Sequence, residues 1–201
     1  MNPRAPIVNH LLPLSLTVLA STPAHAHVGT GLAGGFPMGF AHPLTGADHL
    51  LAMVSVGLWG AVLGRPLIYT LPVVFPAVMV VGAILGMLAI PLPSVELGIA
   101  LSVLVLGTCI ALSIRAPVWI AAFVVGAFAV FHGYAHGTEL PSAADPIGYS
   151  VGFVLATGLL HVLGIGIGLL HERPIGSAVM RGLGGLIGTA GGWFLLRAVW
   201  P

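Results

Sequence analysis

The amino-acid sequence predicts an all-α integral membrane protein, a bundle of six transmembrane helices that follows a cleaved signal peptide. Three observations predict this class. Charged residues make up 5% of the 201 residues and hydrophobic residues 58%, whereas about a quarter of a usual soluble domain is charged. The chain contains six apolar runs, each close to the ~20 residues that a helix needs to cross a bilayer. Its N-terminus has the three parts of a secretory signal.

The composition also excludes several classes of protein. Six arginines and five acids cannot cover the surface of a soluble domain of 20.5 kDa, and the apolar content excludes a disordered chain. A net charge of +1 without an arginine cluster excludes a basic nucleic-acid binder. The single cysteine, Cys109, excludes an internal disulfide and a cysteine-based zinc site.

Residues 1–26 have the pattern of a signal peptide. Arg4 supplies the positive charge, residues 11–20 form a short apolar stretch, and Ala24-His25-Ala26 is a small-residue cleavage signal. Cleavage would make His27 the mature N-terminus, outside the cytoplasm, and would leave 27–201 as the transmembrane domain. The alternative is an uncleaved first helix that is interrupted by two prolines.

The mature chain divides into six predicted spans, separated by short connections rich in proline, glycine and arginine. A membrane barrel is excluded, because no run of about ten residues alternates polar and apolar side chains. The predicted spans are 44–63, 67–90, 95–113, 117–137, 147–170 and 177–199.

The arginines predict the same orientation as the signal peptide. With the N-terminus outside, the connections after the first, third and fifth spans lie in the cytoplasm, and they carry Arg65, Arg115 and Arg173. The outer connections, 91–96 and 139–146, contain three acids and no arginine. This distribution satisfies the positive-inside rule.

Glycines recur at helical spacing in the last two predicted spans. Gly184, Gly188 and Gly192 form a row four residues apart, and Gly148 and Gly152 begin a second row. Small residues at this spacing let helix backbones approach closely in lipid. We therefore predict tight helix packing along both rows.

The first polar cluster, at the outer end of the first span, is His42-Pro43-Leu44-Thr45-Gly46-Ala47-Asp48-His49. A helix that continues unbroken from about Pro43 places His42 and His49 on one face, with Asp48 about 100° around the axis. Ionisable side chains are costly in a bilayer and usually functional. This cluster is therefore a candidate site.

The second polar cluster lies at the end of the fourth span. His132, His136 and Glu139 are spaced i, i+4, i+7, so a continuous helix places all three within roughly 60° of one face. The predicted topology puts this cluster at the same membrane depth, on the same side, as the first. Imidazoles and carboxylates together favour Ni²⁺, Co²⁺, Zn²⁺, Cu²⁺ or Fe²⁺, whereas Ca²⁺ and Mg²⁺ prefer oxygen ligands alone.

For the other ionisable groups, a structural role explains the residue as well as a functional role does, or better. Glu96 is either a pathway residue or an ordinary acid at a helix N-terminus. His161, deeper in the fifth span, is either a pathway residue or a donor between helices. His171 and Glu172 fit a solvated cytoplasmic loop, whereas an N-terminal His27 could chelate a metal through its amine and its ring.

The string His42-Pro43-x-x-Gly46-x-Asp48-His49-x-x-Ala52-Met53, followed by Val56-Gly57, resembles the signature of the HupE/UreJ family. Members of that family are small bacterial inner-membrane permeases for nickel and sometimes cobalt, often associated with hydrogenase or urease maturation. The segment Phe131-His132-Gly133-x-Ala135-His136-Gly137-x-Glu139 and the cleaved leader also fit. The resemblance covers essentially the whole mature chain.

The resemblance implies uptake of Ni²⁺ across the bacterial inner membrane, with no prosthetic group and no enzymatic activity. The cytoplasmic metallochaperones of hydrogenase or urease assembly are then candidate partners beside the ion and the lipid bilayer. The resemblance assigns metal binding to His42, Asp48 and His49, with His136, Glu139 and Glu96 as supporting positions. The residues themselves leave other functions open: an intramembrane metalloenzyme, a metal-binding protein that does not transport, or a proton channel.

Overall fold

The computed structural model of the protein describes residues 35–140 and 145–200. The predicted signal peptide and His27 lie outside these residues. Within them every regular element is helical, which confirms the predicted class. A 3₁₀ turn, Leu169–Glu172, joins the last two of seven α-helices, which are α1 Phe36–Thr45, α2 Ala47–Leu63, α3 Leu67–Met87, α4 Val95–Ala111, α5 Val118–Glu139, α6 Pro146–Gly168 and α7 Gly176–Val199.

Four of these segments are long and apolar enough to cross a membrane. They are α3, α5, α6 with its 3₁₀ extension, and α7. The pair α1 and α2 makes a fifth candidate if it is one broken span. The third predicted span is shorter than expected, because α4 ends at Ala111 after 17 residues. All six apolar runs are therefore helical, but one is short and another is bent.

The prediction of one unbroken helix from about Pro43 is wrong. The chain bends by 85° between α1 and α2, and Gly46 between them has an extended backbone, with φ −88° and ψ 113°. Glycine is a poor helix former, and here its carbonyl accepts the bond from the Leu50 N–H that starts α2. The first polar cluster is consequently split between two helices that are nearly perpendicular.

The local sequence accounts for the start of α6, which fixes the segment opposite α1. Asp145 caps the helix, because its Oδ1 accepts a hydrogen bond from the Gly148 N–H at 2.9 Å. Pro146 follows at the first helical position, where its missing N–H leaves no bond unmade. Gly148 and Gly152 then lie against the backbone of α1 at Phe36, as the predicted packing of this row requires.

Glycines bring three pairs of long helices into backbone contact. Gly82 and Gly86 of α3 lie against the backbone of α5, and these two helices run in the same direction. Gly57 of α2 and Gly164 of α6 hold a second parallel pair together. Gly107 lies against Gly188 where α4 crosses α7. Such contacts replace the hydrophobic effect, which does not drive helices together in lipid.

The glycine row predicted on the last helix needs one correction. Gly184 and Gly188 face α4, but the third member is Gly191, which lies against Leu104. Gly192 has open space around it. A straight α-helix has 3.6 residues per turn, so seven residues from Gly184 to Gly191 return to the same face more closely than eight do.

Candidate metal centre

A cavity of about 300 Å³ opens at one end of the helix bundle. It lies where the bend between α1 and α2 meets the start of α4 and the end of α5. Its lining includes six of the ionisable residues singled out in the sequence, which are His42, Asp48, His49, Glu96, His136 and Glu139.

The bend at Gly46 brings the two histidines of the first cluster together. The ring centroids of His42 and His49 are 6.4 Å apart. Because α1 lies across α6, His42 also packs against Tyr149, at 5.9 Å, and Phe153, at 6.2 Å. The two imidazoles therefore meet in the cavity from different helices, rather than along one helix face.

His42, His136 and Glu139 form the tightest group of metal-ligating atoms in the described residues. One donor atom of each lies within 4.8 Å of the other two, and His42 Nε2 is 3.5 Å from Glu139 Oε2. If an ion lay about 2.1 Å from each of these two atoms, the N–ion–O angle would be about 110°. This spacing suits coordination by a transition-metal ion without a large rearrangement.

Exposure falls from the mouth of the cavity to its base. The Glu139 side chain is 42% exposed and that of His42 19%, whereas His136 is buried at 7%. Phe153 packs against the His136 ring with centroids 4.2 Å apart. An ion that moves inward from Glu139 would exchange water for imidazole and aromatic surroundings.

Asp48 interacts with its neighbour His49. Its Oδ1 accepts one hydrogen bond from the His49 backbone N–H at 2.7 Å and contacts the ring Nδ1 at 2.8 Å. Metal-ligating histidines commonly donate their other ring N–H to a carboxylate, which fixes the ring orientation and the tautomer. His49 Nε2 is buried and has no hydrogen-bond partner within residues 35–140 and 145–200, so this nitrogen can bind a metal.

His132 lies below the cavity and is fully buried. Its ring is 4.8 Å from that of His49, and its Nε2 is 3.0 Å from Ser102 Oγ on α4. Sequence reasoning missed Ser102, and the only signal was a hydroxyl within an apolar helix. Tyr149 was also missed: its ring contacts His42, and its buried hydroxyl has no hydrogen-bond partner among the described residues.

The remaining candidates lie at the rim or away from the cavity. Glu96 begins α4, is exposed and lines the mouth. His161 is buried deeper in α6. The ring of Phe75 lies between it and His132, at 5.5 Å from each. His171 bonds to the Gly168 carbonyl in the 3₁₀ connection, and Glu172 is exposed there.

Comparison with known proteins places the chain in a family. The family profile described as HupE / UreJ protein matches residues 14–194. The chain belongs to the HupE/UreJ family. It is 46% identical over 173 residues to a protein named Protein HupE from Rhizobium leguminosarum bv. viciae, which covers 86% of this chain and 90% of that protein. No solved structure matches the chain.

Membership gives the site its context. The HupE/UreJ family consists of membrane transporters linked to nickel uptake for hydrogenase and urease. The chain is accordingly a multi-pass membrane protein of a nickel-transport family. Its cluster of imidazoles and one carboxylate has the donor chemistry that such an ion requires.

Proposed function

We propose that this chain is an inner-membrane permease that takes up a divalent transition-metal ion, with Ni²⁺ as the leading candidate and Co²⁺ as the alternative. One observation carries the proposal: His42, His136 and Glu139, from two different helices, converge within 4.8 Å of one another at one end of a membrane bundle. Zn²⁺ and Cu²⁺ suit the same donors, because selectivity depends on geometry more than on affinity.

The direction of transport follows from the predicted orientation. The cavity would face the periplasm, since the positive-inside rule places Arg65 and Arg115 in the cytoplasm. His42, His136 and Glu139 would capture the ion, with Asp48, His49 and Glu96 around them. His27, at the cleaved N-terminus, would add an amine and an imidazole. His132 and then His161 would continue the path inward.

The membrane potential is a sufficient driving force for such uptake. The sequence contains no phosphate-binding loop. A divalent cation that moves to the negative side gains about 4.6 kcal/mol per 100 mV, which supports roughly a thousandfold concentration ratio. Cytoplasmic metallochaperones of hydrogenase or urease assembly would then receive the ion.

Uptake by proteoliposomes tests the proposal. The purified full chain should import ⁶³Ni²⁺, and import should rise when an inside-negative potential is imposed. Glu139→Gln should reduce uptake at least about tenfold, because it removes a charged ligand. Asp145→Asn is the matched control: it removes a charge outside the cavity, and asparagine is an equally good helix cap.

Three other results would refute the proposal and identify the function instead. Tight metal binding without uptake would indicate a binding protein, and conductance of protons without metal would indicate a channel. Metal-dependent turnover of a substrate would indicate a metalloenzyme, which needs an open coordination position.

A further inference from the structure

Four imidazoles form a continuous row from the cavity mouth to the buried interior. Ring centroids are 4.8 Å apart between His42 and His136, between His136 and His49, and between His49 and His132. Glu139 stands at the outer end of this row. At the inner end, His49 and His132 present buried ring nitrogens. An ion therefore meets a carboxylate oxygen at the outer end and only nitrogens at the inner end.

Ser102 determines which nitrogen of His132 carries the proton. Its Oγ lies 2.6 Å from the Ile99 carbonyl oxygen, and a carbonyl can only accept, so the hydroxyl hydrogen is used there. The contact of 3.0 Å between Ser102 Oγ and His132 Nε2 then requires that Nε2–H donates. A neutral imidazole has one N–H. His132 Nδ1 is buried and has no hydrogen-bond partner among residues 35–140 and 145–200, so it is a bare lone pair.

Asp48 fixes the tautomer of His49 by the same reasoning. An ionised carboxylate only accepts, so the contact of 2.8 Å with Nδ1 is a bond that Nδ1–H donates. In a neutral imidazole Nε2 of His49 is then bare, and among the described residues this buried atom has no hydrogen-bond partner. The bare Nε2 of His49 and the bare Nδ1 of His132 thus belong to rings that contact each other. In each ring, a hydrogen bond at the other nitrogen fixes the position of the proton.

His136 connects this inner pair to the outer group. Both of its ring nitrogens are buried and lack hydrogen-bond partners in the described part of the chain, and its ring contacts both His42 and His49. Among these residues no hydrogen bond prescribes its tautomer, unlike those of His49 and His132. This imidazole is therefore free to serve an ion on either side.

We propose that Ser102 is a positioning residue: by holding the proton of His132 on Nε2, it presents Nδ1, together with Nε2 of His49, as an inner binding position made only of nitrogen. This proposal rests on the metal transport proposed above and adds a second position to it. The ion passes from the outer position, made by His42, His136 and Glu139, to the inner position at His49 and His132. His136 is a ligand in both positions. Two divalent ions in adjacent positions repel strongly, so one ion occupies the row at a time.

The chain offers a matched control for Ser102. Ser55 on α2 is also fully buried, but within the described part of the chain its hydroxyl has no hydrogen-bond partner. Ser102→Ala and Ser55→Ala therefore remove the same atom from equally buried sites, and only the first removes a hydrogen bond to a histidine. If Ser102→Ala does not fold, Ser102→Cys keeps a similar volume and replaces the oxygen with a weak sulfur acceptor.

The tautomer is measured first, without metal. ¹⁵N NMR of the full chain with labelled histidine distinguishes protonated from bare ring nitrogens, and the His132 signals are assigned by their loss in His132→Gln. We expect a protonated Nε2 and a bare Nδ1 for His132 in the parent protein and in Ser55→Ala. In Ser102→Ala the two tautomers should be mixed. An unchanged tautomer in Ser102→Ala would overturn the proposal.

Nickel binding is measured second, by titration and by X-ray absorption of the loaded protein. Ser102→Ala should weaken Ni²⁺ binding about tenfold or more and lower the number of imidazoles around the ion, whereas Ser55→Ala should do neither. A changed tautomer with unchanged affinity and imidazole number would overturn the inner position and leave the proposed transport intact. Absence of Ni²⁺ binding by the parent protein would overturn both.

Discussion

Replacement of Asp48 tests whether the carboxylate beside His49 contributes to metal binding. Its Oδ1 holds both the backbone N–H and the ring Nδ1 of His49. Alanine removes the acceptor and the negative charge together. Asparagine removes the charge but keeps an acceptor oxygen at the same distance along the side chain. The two variants therefore separate the effect of charge from the effect of orientation.

The size of the charge effect follows from the geometry. Asp48 Oδ1 is 2.8 Å from His49 Nδ1, so an ion bound to Nε2 on the opposite side of the ring would lie about 7 Å from that oxygen. Charges of −1 and +2 at this distance attract by about 5 kcal/mol at an effective dielectric constant of about 20, and by about 1 kcal/mol in water. Loss of such an orienting hydrogen bond costs a further 10- to 100-fold, roughly, in metal affinity.

We therefore expect Asp48→Asn to weaken Ni²⁺ binding at least about tenfold and Asp48→Ala at least about a hundredfold. Titration of the purified protein measures the affinity, and uptake into proteoliposomes should fall in the same order. Membrane insertion should be unchanged, because the side chain is partly exposed. Asp145→Asn again serves as the control.

Two results would refute this reasoning. If Asp48→Ala bound Ni²⁺ as tightly as the parent protein, the carboxylate would have no part in the site. If Asp48→Asn and Asp48→Ala lost the same affinity, the hydrogen bond to the ring would contribute nothing beyond the charge.

Three further predictions concern packing, pH and the inner path. A methyl group at Gly86 would lie 2.5 Å from the Tyr134 carbonyl oxygen, so Gly86→Ala should separate α3 from α5 by at least about 0.5 Å, beyond the ~0.2 Å tolerance of metal–ligand distances. The Ni²⁺ affinity of Gly86→Ala should therefore fall. Gly126→Ala should keep the parent affinity, because the nearest atom to a methyl group there is 3.7 Å away. Equal Ni²⁺ affinities of the two variants would contradict this prediction. Ni²⁺ titrations from neutral pH down to about pH 4 should show weaker binding at the acid end, because imidazoles bind metal only without their proton; an affinity that stayed constant over this whole range would argue against imidazole ligands. His161→Ala should lower the rate of uptake but leave equilibrium Ni²⁺ binding unchanged, and a normal rate would remove His161 from the path.

The local properties of this chain were predictable because they depend on the immediate sequence. Long apolar runs with few charges form helices, since a backbone in lipid must satisfy its own hydrogen bonds. The spacing of His132, His136 and Glu139 placed all three on one face of α5, and that prediction needed no partner helix. The meeting of the two polar clusters at one end of the bundle followed from counting spans.

The contacts of the site could not be predicted in this way. The spacing of His42 and His49 favoured one continuous helix, but the bend at Gly46 places the two histidines on perpendicular helices. Nothing in the sequence around Ser102 connects it with His132, because the two residues are 30 positions apart and meet only where α4 packs against α5.

The amino-acid sequence is sufficient to predict the membrane class, the family, the donor chemistry at one end of the bundle and the helices other than the break at Gly46. The packing of the helices determines which imidazole rings touch and which nitrogen of His132 lies against Ser102. The reason is physical: apolar periodicity and the cost of unsatisfied backbone groups act over a few residues, whereas a hydrogen bond between helices depends on how closely their glycines let them approach.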